Sequence, residues 1–117
     1  MAGFTVGADR VDCRMWVCFS PESVDGSTNM TGVRDSFNVS SVVDNGTGMY
    51  TINLTTAMPD TNYAAVGMAG RDSNNQASLS QPEGTYTRAA GTLRVHNVYN
   101  NANLEDCNIA CVAIFGN

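Results

Sequence analysis

The residues that could do chemistry are few and poorly spaced for it. The single histidine, His96, sits within the alternating run Thr92 to Tyr99, TLRVHNVY. A hydrolytic triad would set it beside a nucleophile and a carboxylate, and no G-x-S-x-G or comparable setting occurs. On such a strand His96 reads as a surface or interface residue. The four cysteines, Cys13, Cys18, Cys107 and Cys111, contain no C-x-x-C, and His96 is not at metal-ligand spacing from any of them. Glu105-Asp106 and the near pair Asp9 and Asp12 read as solvated charges, since nothing in the pattern holds two carboxyls around one substrate. Gly46-Thr47-Gly48 follows a strand pattern but opens no helix, so it reads as a hairpin turn and not a phosphate cradle. The expectation is a chain with no catalytic residue, no metal and no cofactor.

The cysteines leave two readings open. Within a strand, positions four or five apart are separated by roughly 13 to 17 Å, beyond the roughly 7 Å limit for a disulfide. A bridge across strands requires the first and last strands to be antiparallel neighbours. Matching Cys13 to Cys111 would then set Cys18 opposite Asp106, one residue off Cys107, so two bridges would need a bulge. The preferred reading is that all four are free, mostly buried, small hydrophobes in a reducing cytoplasm.

These residues must be positioned by strands, and one stretch dominates: Phe37 to Thr56, FNVSSVVDNGTGMYTINLTT. Two alternating runs flank Asn45-Gly46, a strong signal for a two-residue type I′ turn. That turn pairs Ser41 with Tyr50, Val39 with Ile52 and Phe37 with Leu54 on a core face. It sets Val42 with Met49 and Ser40 with Thr51 on the other. A longer loop with a bulge at Gly48 is the alternative. Arg10 to Phe19 reads as the first strand, with Val11, Cys13, Met15 and Val17 on one side and Arg14, Trp16 and Cys18 on the other. Trp16 is assigned to the core. Ser20 to Gly32 reads as a loop. Tyr63 to Ala69, YAAVGMA, reads as a strand covered on both sides, and Gly70 to Gly84 as a long loop holding a short strand around Ala77 to Ser80. Thr85 to Ala90 offers another short strand. In Thr92 to Tyr99, Leu93, Val95 and Asn97 alternate against Arg94, His96 and Val98. Asn100 to Asp106 reads as a turn-rich loop. The last strand, Asn108 to Phe115, is apolar on both sides: either it is central and covered, or Ile109, Ala110, Val112, Ile114 and Phe115 form a subunit interface.

Six to eight short strands and no long helix predict an all-β fold, an antiparallel β-sandwich or a jelly-roll-like barrel. The 117 residues predict one domain over 1–117, with a short N-terminal arm at about 1–10. Hydrophobic residues make up 43%, enough for a packed core, while charged residues make up only 15%. The net charge of −5, with no lysine, argues against nucleic acid and against an anionic membrane surface. No run approaches the ~18 apolar residues of a membrane span. The start, MAGFTVGADR, lacks the apolar centre of a signal peptide, so a complete small protein is expected.

Three segments carry a resemblance. W-V-x-F at Trp16 to Phe19, V-R-D-S-F-N-V-S-S-V from Val33, and D-N-G-T-G-x-Y-T-x-N-L-T-T-A-M-P-D-x-N-Y from Asp44, with the ending V-A-I-F-G, resemble a β module of tail-fibre and related virion proteins of tailed bacteriophages, notably cyanophages. The likeness is dense over Val33 to Tyr63 and loose over Gly67 to Asp106. It implies a non-enzymatic virion structural protein, made in the host bacterial cytoplasm and located on the tail fibre or the capsid surface. It implies assembly as a homotrimer with other virion proteins. A tip module would bind host surface polysaccharide through its loops. The residues suited to that are Arg71, Asp72, Asn74, Asn75, Tyr86, Arg88, Tyr99, Asn100, Asn101 and Asn103, which mix amide, carboxylate and guanidinium groups with aromatic rings. The alternative is a capsid-decorating, cement-type protein that stabilises the shell.

Overall fold

The computed structural model describes residues 12–71, 77–82, 88–99 and 103–116. Among these, every regular element is a strand. They are β1 (Asp12–Phe19), β2 (Val33–Phe37), β3 (Val39–Gly46), β4 (Met49–Leu54), β5 (Ala64–Gly70), β6 (Ser78–Ser80), β7 (Thr92–Tyr99), β8 (Asn103–Leu104) and β9 (Ile109–Gly116). Two antiparallel sheets form a sandwich. The first runs β2-β1-β9-β5, and the second runs β3-β4-β7-β6 with β8 added beside β7. The two-residue β8 lies where the sequence predicts only loop. Arg88, Ala89 and Ala90 lie outside any strand, and the rest of the strand expected at Thr85 to Ala90 falls outside the described residues.

The core follows period-two alternation on the long strands. Met15, Val17 and Phe19 of β1, Ala110, Val112 and Ile114 of β9, Tyr50, Ile52 and Leu54 of β4, and Leu93 and Val95 of β7 all point between the sheets. Each fully buried large side chain of this set stabilises the fold by about 1.5–3 kcal/mol before entropy is charged. The Phe19 and Tyr50 rings meet edge to face across the sheets at 5.4 Å. The alternation of β4 and β7 matches expectation, including the inward Asn97. Three of the five residues assigned to a subunit interface, Ala110, Val112 and Ile114, are therefore core residues. β9 is central, between β1 and β5, and its outward positions are Ile109, Cys111, Ala113 and Phe115.

Trp16 is not in the core. Phe19, Met15 and Val17 share the inward parity of β1, which turns Trp16 and Cys18 outward. The strand at 64–70 also differs from expectation: β5 is an edge strand whose outer side is open, with Val66 54% and Met68 79% exposed.

The central hairpin forms, but its turn is displaced. Val42 lies opposite Ile52, Val43 opposite Thr51 and Gly46 opposite Met49, with irregularities between Val39 and Ser41 and between Asp44 and Gly46. The turn is thus Thr47-Gly48, two residues later than Asn45-Gly46. Long-range partners hold it there. The Gly48 N–H donates to the Asp106 carboxylate at 2.9 Å, and the Asn97 N–H donates to the Gly48 carbonyl at 2.8 Å. Gly48 has φ +72°, and a Cβ there would meet the Glu105 amide nitrogen at 2.6 Å. Glycine alone fits both constraints.

Phe37 is not part of that hairpin. It ends β2 in the first sheet, opposite Trp16. The chain crosses between sheets at Asn38, which has φ +62°. Its side chain secures the corner: Nδ2 donates to the Arg14 carbonyl at 3.0 Å and the Thr56 carbonyl at 2.9 Å, and Oδ1 accepts from the Thr56 N–H at 2.7 Å. Asparagine tolerates the left-handed region better than most residues, so the corner suits its sequence.

Candidate functional site

The loop residues proposed as a binding surface divide into two clusters that share no residue. In the first, the Arg71 guanidinium lies 4.6 Å from the Tyr99 ring centroid and makes a fork to Glu105, at 2.7 and 3.1 Å. Asn103 stands exposed nearby, on β8, paired with Tyr99 of β7. In the second, Arg88 lies 4.5 Å from the Tyr63 ring centroid. It donates to the Thr61 carbonyl at 3.2 Å, to the Tyr63 carbonyl and to Gln81 Oε1 at 2.6 Å. Both guanidinium groups are committed to internal partners, so they fasten loops to the sandwich instead of reaching toward solvent. Asp72, Asn74, Asn75, Tyr86, Asn100 and Asn101 lie outside the described residues.

Tyr50 shows how firmly that end is tied. Its hydroxyl donates to the Asp106 carboxylate, which also holds Gly48. Burial, and then the Asp106 hydrogen bond, push the Tyr50 pKa far above the ordinary phenol value. His96 lies opposite Met49 and Ser80 in the second sheet. Burial first, and then the neighbouring Arg94 charge, lower its pKa. No cluster of three His, Cys, Asp or Glu side chains able to hold a metal occurs among the described residues.

The more distinctive surface is the outer face of the first sheet. Cross-strand register places two rows side by side there. One runs Phe37, Trp16, Ala113, Val66, and the next runs Asp35, Cys18, Cys111, Met68. Seven of these eight side chains are apolar or sulfur-bearing. Phe37 is 54% exposed, matching Val66, and Met68 is more exposed still. A shallow groove of about 440 Å³ runs along the face, lined by Trp16, Cys18, Val66, Met68, Cys111 and Ala113. A sheet face in contact with water normally carries polar side chains, so this one is poorly suited to remain solvated. The sequence signal for it was present in the two-sided apolar character of YAAVGMA and NIACVAIF. Which parity faced outward was not. A second cleft, of about 560 Å³, opens at the Asn38 corner, where Phe37 stands beside Asp12, Arg14, Thr55 and Thr56.

The cysteines are less buried than expected. Cys107 is buried, Cys13 is exposed, and Cys18 and Cys111 are half-buried on the outer face. All four are free thiols. β1 and β9 are antiparallel neighbours, yet the register sets Cys13 opposite Phe115 and Cys18 opposite Cys111. Burial, and then the Cys18 thiol, raise the Cys111 pKa to about 11.

No protein-family model, no curated protein and no solved structure matches the chain.

Proposed function

We propose that this chain is a non-enzymatic structural subunit of a bacteriophage virion that assembles through the outer face of its first sheet. The observation that carries the proposal is the apolar row Phe37, Trp16, Ala113, Val66 with Met68 beside it, in which Phe37, Val66 and Met68 are exposed. Large exposed apolar patches on small domains mark association surfaces. The tail-fibre-like segments supply the virion context and the expectation of three-fold assembly. Self-association of this kind suits a fibre tip and equally a capsid-decorating protein, because each stands on the particle as a small oligomer.

A second reading is host-surface recognition by a tip module. The cleft at the Asn38 corner favours it, since an exposed aromatic ring beside carboxylate, guanidinium and hydroxyl groups is suited to a sugar. The deciding experiment is labelling of intact particles with gold-conjugated antibody. Signal at the distal tail supports the tip reading, and signal spread over the head supports decoration. Purified particles that carry none of the chain would overturn the virion proposal in both forms.

A further inference from the structure

Two of the four cysteines meet across the first sheet. Cys18 and Cys111 are directly opposite on antiparallel neighbours, and both stand on the outer face. Directly opposed residues in such a ladder have Cα atoms about 4.5 or about 5.5 Å apart, depending on whether the pair exchanges backbone hydrogen bonds. Both values lie within the range of about 4.4–6.8 Å seen for disulfides. Their Cβ atoms leave the sheet on the same side, and the Cys18 thiol is near enough to help raise the Cys111 pKa. The other two cysteines are placed differently. The Cys13 thiol donates to the Met15 carbonyl at 3.4 Å, and the buried Cys107 thiol donates to the Ile109 carbonyl at 3.3 Å. Neither faces a cysteine across the strand ladder.

We propose that Cys18 and Cys111 form a dithiol site that closes to a cross-strand disulfide by exchange with a low-molecular-weight disulfide such as oxidised glutathione. A thiolate of the pair attacks the small disulfide and forms a mixed disulfide, releasing one small thiol. The second protein thiolate then attacks the protein-side sulfur and releases the other. Both S–H bonds are lost and one Sγ–Sγ bond forms. The two electrons reduce the small disulfide, and its two thiols carry the protons. The groove lined by the pair is open in the isolated chain, so a small disulfide has access. The bond would tie the first strand to the central strand at the end of the chain, closing a loop that spans most of the sequence. Loops of that length give the largest effect on the unfolded chain. The raised Cys111 pKa keeps that group a thiol near neutrality, so closure should accelerate as pH rises toward it.

The test uses the full chain, reduced, with Cys13→Ser removing the exposed thiol. After treatment with oxidised glutathione, thiol titration should show two of the three remaining thiols lost, and peptide mapping should find Cys18 linked to Cys111. The melting temperature should rise by at least ~5 °C over the reduced form. The same treatment of Cys18→Ser should give no link and no rise. Retention of all three thiols, stable glutathione adducts on Cys18 or Cys111 in place of the link, or a link that includes Cys107 would each overturn the proposal. Because the pair lies on the face proposed for assembly, the oxidation is run at nanomolar concentration on single chains, so that a failure to close is distinguishable from burial of the thiols in an assembly.

Discussion

At the scale of single residues, the closest-tied group is Tyr50, whose ring fills the core while its hydroxyl reaches Asp106. Tyr50→Phe keeps the ring and leaves the carboxylate with only the Gly48 amide. The expected cost is about 1–3 kcal/mol in chemical denaturation, the usual range for a hydrogen bond to a charged group lost at a partly buried site. The raised Tyr50 pKa also fixes the sign of a pH effect. The folded protein holds the phenol neutral while the unfolded chain ionises near the ordinary value of 10.0. This stability is present in full below that pH and is lost as pH rises beyond it. Denaturation midpoints measured on either side of that pH should fall for the native protein, and the part due to this group should vanish in Tyr50→Phe. Arg71 and Arg88 teach a related point. Their residue types fit ligand recognition, and nothing local in the sequence shows that Glu105 and Gln81 occupy them.

At the scale of elements, the central hairpin shows where sequence patterning succeeds and fails. Tyr50, Ile52 and Leu54 face the core as their alternation requires, as do Leu93, Val95 and Asn97. The turn moved because Asn97 and Asp106, 49 and 58 residues away, bind Gly48, and a local turn signal at Asn45-Gly46 contains no trace of them. Gly48→Ala would strain the positive φ and drive its Cβ into the Glu105 backbone, so it should cost upward of ~2 kcal/mol. Asn45→Ala, at an exposed position that loses one hydrogen bond from Thr51, should cost under ~1 kcal/mol. Thermal melts in which Asn45→Ala proved the more damaging would restore the expected turn and refute the observed one. Phe37 was misassigned for a different reason. Asn38 interrupts the strand without breaking the alternation on either side, so a sheet change reads as one continuous run. The alternation of its neighbours suggests a buried Trp16, but that same alternation turns Met15, Val17 and Phe19 inward together and leaves Trp16 on the outer side.

At the scale of the whole molecule, the all-β antiparallel sandwich was legible from many short alternating runs and turn residues, because those cues are local. The open apolar face was half-legible. Two strands read as apolar on both sides, but only the order β2-β1-β9-β5 shows that they are neighbours and that one side of them lacks a cover. Assembly through that face is the central claim, and the mass of the purified protein in solution tests it most directly. Light scattering at micromolar concentration should give three times the mass of a single chain. Met68→Glu, which puts a charge on the most exposed apolar position of the face, should return a folded single chain with an unchanged circular dichroism spectrum. A native chain that runs as a monomer, or a Met68→Glu variant that keeps the native mass, would contradict it.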